Sequence, residues 1–562
     1  MARSYRSVPV AVSALGLALS FAISDVNAAT IAVNSNADTA ADEGVCTLRE
    51  AIVSANTNTV SGSSPGECAA GEPLPAVDTI AFAIPGAGVH TIRPTSQPPA
   101  VTEAVTIDGY TQPGASPNSL AIGDNAVLLI EIDGSGFDNE MFDLQGGGST
   151  LRGLVINRVI ATYLSLDSSN NTIEGNFLAT DASGMSYLGT NTDVIRVQSS
   201  NNRIGGSEPA SRNVIGATVA LGSSTLFVQG GGTLIQGNYI GVNAAGSGPL
   251  QPDDRSTDAI FLIGSAPDTM IGGATPGAGN VILATNVGID LRSTSANVTI
   301  QGNYIGTDAT GTFGLGGGVG ISGSAAVPAL TIGGPEPLAG NLISGGTVGI
   351  AFFQAESDLV VQGNKIGTDA SGTQAISNSS DGISGGGGTI PGLIGGTAPD
   401  EANTIAFNCG RGINLQSSTA WTILGNSIYS NGGTGILNSD AGPHPPPQIT
   451  SLSINAGTAT VSGTLDATAS TTFRIEFYGN VVCDPSGAGE GRTFIGTTDV
   501  TTDADGHAVF GPLDFAVPDG EPVITATATD PDGSTSAFAQ CAGSSDRLFR
   551  SGFEPAVCGG GF

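Results

Sequence analysis

Carboxylates at recurring positions are the first residues in this chain that could do chemistry. Thr180-Asp181, Thr307-Asp308 and Thr368-Asp369 stand in equivalent words, with Asn243 at the corresponding place of another copy. Oxygen donors of this kind hold calcium at roughly 2.3–2.6 Å, which makes Asp181, Asp308 and Asp369 metal candidates, although aspartates about three coils apart cannot share one ion and each loop would have to bind separately. The same words also read as polar turns, because Gly184, Gly311 and Gly372 follow. Cleavage of a glycosidic bond by general acid and base needs a carboxylate pair, for which Asn191-Thr192-Asp193 and Asp253-Asp254 offer side chains about 60 residues apart. Elimination from an acidic sugar needs a strong base such as arginine. Arg292 and Arg411 fall at strand-like positions, but no carboxylate cluster accompanies them in sequence. The three histidines, His90, His444 and His507, lie outside the repeated middle, leaving its serines without an imidazole base. Cys409, beside Arg411, is either a thiol near a cation or half of a disulfide.

The elements that must position these groups come from an internal repeat. Gly175-Asn176, Gly237-Asn238, Gly302-Asn303, Gly363-Asn364 and Gly425-Asn426 recur at spacings of 62, 65, 61 and 62 residues. Ile or Val stands two residues before each glycine, and Leu or Ile two residues after each asparagine. A second word, Ile204-Gly205-Gly206, returns at Ile271, Ile332 and Ile394 and is followed by Asn213-Val214-Ile215 and its equivalents at Asn280, Asn341 and Asn403. A third reads Gly288-Ile289, Gly349-Ile350 and Gly412-Ile413. These words predict short β-branched strands separated by glycine turns, about 20 residues per coil. Stacked at ~4.8 Å, some sixteen coils would make a rod of about 75 Å with a continuous aliphatic core. Asn176, Asn238, Asn303, Asn364 and Asn426 then form a structural ladder that satisfies backbone groups at one corner. In such a stack Asp193 and Asp253-Asp254 are about three coils, roughly 14 Å, apart, more than acid–base cleavage allows.

The chain has 85 Gly, 30 Pro, 12% charged residues and a net charge of −32, and reads as all-β. That charge disfavours nucleic acid and anionic lipid. Arg3 and Arg6 precede the apolar run Val8 to Ile23, and Val26-Asn27-Ala28 follows, which predicts a signal peptide over 1–28 and no transmembrane segment in the mature chain. Six cysteines in an exported protein predict disulfides. Cys46 with Cys68 and Cys483 with Cys541 are the local pairs, and Cys409 and Cys558 remain.

A solenoid needs a cap, and Cys46-Thr47-Leu48-Arg49-Glu50-Ala51-Ile52 supplies a candidate helix with Leu48, Ala51 and Ile52 on one face. This stretch resembles the Cys-Ser-Leu-Arg-Glu-Ala motif of CSLREA-domain proteins, with Thr47 in place of serine. Asp78-Thr79-Ile80-Ala81-Phe82, Ile84-Pro85-Gly86 and Ile107-Asp108-Gly109-Tyr110-Thr111-Gln112-Pro113-Gly114 are similar to that family's recurring words. The resemblance, over about residues 30 to 440, implies a pectin-lyase-like right-handed parallel β-helix and an extracytoplasmic location, and carries no catalytic residues. Beyond Pro445-Pro446-Pro447, alternating strands with turn residues predict an immunoglobulin-like β-sandwich.

The expected organisation is thus a signal peptide (1–28), a CSLREA-type cap with the first strands (29–99), a parallel β-helix (100–440), a proline-rich linker (441–446), a β-sandwich (447–542) and a tail (543–562). The expected role is binding, adhesion or structure at the cell surface or outside the cell, with a polysaccharide or a cell-surface protein as partner. Tyr239, Tyr304 and Trp421 are the aromatic side chains available for stacking, or for packing. The loop carboxylates admit calcium, but no cofactor is required. The alternative is a polysaccharide lyase or glycoside hydrolase.

Overall fold

The computed structural model describes residues 28–190, 192–218, 223–250, 257–293, 296–323, 327–352, 358–386, 392–416, 421–438, 444–543 and 558. The expected signal peptide, apart from its last residue, and most of the tail lie outside the described residues. Three all-parallel sheets of thirteen, twelve and eleven strands wind as a right-handed parallel β-helix, each coil giving one strand to each sheet in turn. Ile, Val and Leu point inward from all three sheets into one core that runs through the stack.

The coil is longer than the sequence words suggest. From Thr172 to Thr422 the first sheet gains eight strands, so a coil takes about 31 residues and the 62-residue unit is two coils. Thirteen strands in the first sheet correspond to a rod of about 58 Å, shorter than the expected 75 Å. The reason is that the Gly-Asn and Ile-Gly-Gly words are the same corner in successive coils. Ile173, Ile204, Ile235, Ile271 and Ile300 are register partners, one above the other. In one coil the chain turns at once from the first sheet to the second through Gly-Asn. In the next it detours through a loop, such as 206–212, before reaching the same asparagine position.

That asparagine position forms a single buried ladder, Asn176, Asn213, Asn238, Asn280, Asn303, Asn341, Asn364, Asn403 and Asn426. From one rung to the next the amide oxygen accepts from both the backbone N–H and the side-chain NH2 of the asparagine before it, as Asn280 Oδ1 does from Asn238 at 3.0 Å and 3.0 Å, except at Asn238, whose oxygen takes the Asn213 NH2 at 2.8 Å. Each NH2 also donates to a first-sheet carbonyl one coil back, Asn238 to Ile204 at 2.9 Å. The side-chain amides of the corner are thereby used on both sides, which a dry interior requires. Close stacking also explains the glycines. At Gly237, φ is +69° and a Cβ would lie 2.1 Å from the Gly206 carbonyl oxygen.

At the N-terminal end, helix Leu48–Thr57 covers the first strands with Leu48, Ala51 and Ile52 buried. Thr47 and Glu50 close its capping box, and Arg49 pairs with Asp38 at 3.0 Å. At the other end, strands Gln448–Asn455, Thr458–Asp466 and His507–Ala516 form one antiparallel sheet, and Thr472–Asn480, Thr493–Thr501 and Val523–Thr529 a second. The two share a core around Val461, Phe473, Phe477 and Phe510. This sandwich closes the stack. Tyr478 and Phe538 join the helix core, and Gly491 exchanges backbone hydrogen bonds with Ile428. A second asparagine ladder, Asn378, Asn408 and Asn431, ends on the sandwich carboxylate Glu490, which accepts from the Asn431 N–H and NH2 at 3.0 Å each. Disulfides join Cys46 to Cys68, Cys483 to Cys541 and Cys409 to Cys558.

Two predictions follow from the ladders. Asn303→Ala strands the Asn280 N–H and the Ile271 carbonyl in a dry corner and is expected to destabilise the fold by about 3 kcal/mol, read as a fall in the denaturant midpoint. Burial pushes the Glu490 carboxyl up from 4.5 to about 8, against the lowering effect of its Asn431 hydrogen bonds. A raised folded-state pKa means its contribution is fully present below the unfolded value and is lost as pH rises through about 8. The thermal midpoint should therefore fall between about pH 5 and 9, and Glu490→Gln, which keeps the acceptor without the charge, should flatten that fall.

Candidate functional site

The second sheet carries the site. In the word Asn-x-Ile, Asn fills the ladder and Ile the core, so x points outward. Register places Phe177, Val214, Tyr239, Val281, Tyr304, Leu342, Lys365, Thr404 and Ser427 in one outward row, one per coil. Loops flank this row because the coils alternate. Coils with the detour at the first corner supply the segments 273–279, 334–340 and 396–402 on one side. The intervening coils supply hairpin turns on the other, closed by bridges Thr180 to Tyr187, Val242 to Pro249, Thr307 to Gly314 and Thr368 to Ala375. The hairpins brace one another, Ala309 N–H donating to Gly246 and Ala370 N–H to Gly311 at 2.8 Å each.

Between the two walls runs a groove of about 700 Å³, with Tyr239, Val281, Tyr304, Leu342 and Lys365 on its floor. Four strand steps make that floor about 19 Å long. Tyr304 and Lys365 are half-buried, whereas Tyr239 is only 3% exposed, beneath the Arg212 guanidinium 4.5 Å from its ring centroid. Burial raises both tyrosine hydroxyls above their ordinary pKa, so both stay neutral donors. Among the described residues the carboxylates lining the groove are Glu336 and Asp400, on the same wall and two coils apart, and Lys365 is the sole lysine of the chain.

The aspartates singled out as metal candidates stand on separate hairpins, as the repeat spacing implies. Asp181, Asp308 and Asp369 are two or more coils apart and each is engaged by its own turn. Asp308 Oδ1 accepts from the Thr312 and Phe313 N–H groups at 2.9 and 3.0 Å, and Oδ2 from the Thr310 hydroxyl at 2.6 Å. Asp181 accepts likewise from Met185 and Ser186, and Asp369 from Thr373 and Gln374. Burial works against the Asp369 charge, but the Gln374, Ser371 and Thr373 hydrogen bonds outweigh it and hold its carboxyl below the usual range. Asn243 plays the same part through Ser247 N–H at 3.1 Å.

The other groups with chemical potential are dispersed. Asp193 is buried, paired with Arg196 at 2.9 Å and accepting from Ser224 N–H. Asn191 and Asp253-Asp254 lie outside the described residues. Arg292 pairs with Asp290 at 2.8 Å over the Phe261 ring, and Cys409 is a disulfide half, not a free thiol. Trp421 sits at the end of the core, stacked on Phe352, and offers no platform. Sequence reasoning passed over one further cluster, on the outer face of the third sheet, where Glu140, Asp143 and Asp167 interact with one another and Arg196 lies near. Burial and then the neighbouring carboxylates raise Glu140. Asp143 is likewise raised, by burial and by Asp167.

No protein-family model matches the chain, and no curated protein matches it. Among solved structures, the enzymatically active domain of bacteriophage CBA120 tailspike protein 2 is similar at 12% identity, covering 87% of this chain and 79% of that one, with a TM-score of 0.25. A likeness of that strength carries nothing about the site.

Asp308→Asn is expected to keep its turn, as Asn243 does, leaving the thermal midpoint within a few degrees of the parent's both with calcium and after chelation. A calcium-dependent rise in the parent that the variant lacks would make the hairpin a metal site.

Proposed function

We propose that this chain is an extracellular binding rod whose second-sheet groove holds an extended, uncharged polysaccharide. The observation that carries the reading is the groove itself, with alternating aromatic and aliphatic floor residues between two rows of loops. The C–H face of a sugar ring packs on an aromatic side chain, while its hydroxyls find partners among loop backbone groups. Tyr304, half-buried at mid-groove, is the natural platform. A chain of net charge −32, with Glu336 and Asp400 on one wall, disfavours a polyanion. Those two carboxylates share a wall, so they cannot flank a glycosidic bond from opposite faces as acid and base must. An extracellular setting agrees with three disulfides.

A second reading, a polysaccharide lyase or hydrolase, draws on the Glu140, Asp143 and Asp167 cluster with Arg196 beside it. Burial shifts Glu140 and Asp143 toward the protonated form that a general acid uses. Reducing ends or unsaturated uronate released from a polysaccharide panel, and lost in Asp143→Asn, would establish it.

For the binding reading, affinity electrophoresis in gels containing xylan, mannan, β-glucan, polygalacturonate or alginate should show retardation by a neutral polymer. Tyr304→Ala should weaken that retardation about tenfold or more, a loss of ~1.4 kcal/mol. Unchanged retardation in the variant would remove the groove from the account.

A further inference from the structure

Resting on the groove reading, we infer that the groove is closed at its N-terminal end and therefore recognises the terminus of a polysaccharide chain, not its interior. The outward row of the second sheet does not begin at Tyr239. It runs lower, through Val214, Phe177 and Val155, and those side chains are buried to within 2%. The excursion 112–128 between the first-sheet strand Val105–Asp108 and the second-sheet strand Ile130–Asp133 packs Leu128 and Ala126 against them, joined by Ala244 and Leu250 of the neighbouring hairpin.

This excursion is fastened where the groove starts. Buried Arg212 donates to the Leu120 carbonyl at 3.1 Å, to Ala121 at 2.8 Å and also to Gly123, while its guanidinium lies on Tyr239. Gly123 N–H donates to the Tyr239 hydroxyl at 2.8 Å, and Asp124 N–H to Ala244 at 2.7 Å, so the excursion is tied to floor and wall together. Asn118 holds its bend, accepting from Leu120 N–H and donating to Pro209. A polymer lying along the floor meets Ala121 and Ile122 end-on. At the other end the row continues half-exposed through Lys365 and Thr404 to Ser427, whose hydroxyl donates to the Arg492 carbonyl of the sandwich.

The experiment measures binding capacity on size-fractionated xylan, mannan and β-glucan at equal mass. Recognition of termini predicts that protein bound per gram falls in proportion to chain length, about tenfold for a tenfold longer polymer. Capacity per gram independent of chain length would show interior binding and overturn the inference while leaving the groove reading intact. No binding to any of the three would remove the groove reading and the inference with it. Ala121→Trp, at an exposed position, narrows the closed end and should weaken binding of short oligosaccharides about tenfold. Unaltered binding by a variant with the parent's melting temperature would contradict a terminus seated there.

Discussion

The asparagine ladder at the first corner is the interaction on which the rest depends. A coil that buries its corner must satisfy the peptide groups it bends, and water cannot reach them. Asparagine does this with one amide, whose oxygen serves the coil below while its NH2 reaches back to a carbonyl. The bonds repeat only if coils stay in register, so the ladder fixes the stacking that gives the aliphatic core its continuity. Glycine beside it is a consequence, since the carbonyl of the neighbouring coil occupies the space of a Cβ.

Register held that tightly leaves freedom elsewhere. Between first-sheet strand and asparagine one coil turns at once and the next makes a detour, and the two strands still align. Detours on alternate coils build one wall, hairpins on the others build the opposite wall, and the outward row between them becomes a floor. The sandwich closes the stack by continuing its chemistry, with Glu490 ending an asparagine ladder and Gly491 pairing with the last second-sheet strand.

The fold was legible because Ile, Gly and Asn recur in words whose spacing only a solenoid explains, and two disulfides followed from cysteine proximity. Coil length was not legible, because loops of different length separate identical corners. Asn213 and Asn238 therefore seem unrelated in sequence yet are adjacent rungs. The groove was written in the variable letter of Asn-x-Ile, but only register shows that Tyr239 and Tyr304 face the same way and Trp421 does not. The hairpin aspartates recur because one turn recurs, and in each copy the carboxylate accepts N–H groups of its own hairpin. The third-sheet carboxylates, Asp143 and Asp167, are brought together by pairing across a coil and share no sequence word.

The most direct test of the groove is amide hydrogen exchange with and without a bound neutral polysaccharide. The account predicts slowed exchange in 273–279, 334–340 and the Thr307 and Thr368 hairpins, with no change in the sandwich. Slowed exchange confined to the third sheet, over 140–198, would place the ligand on the carboxylate face and contradict the account.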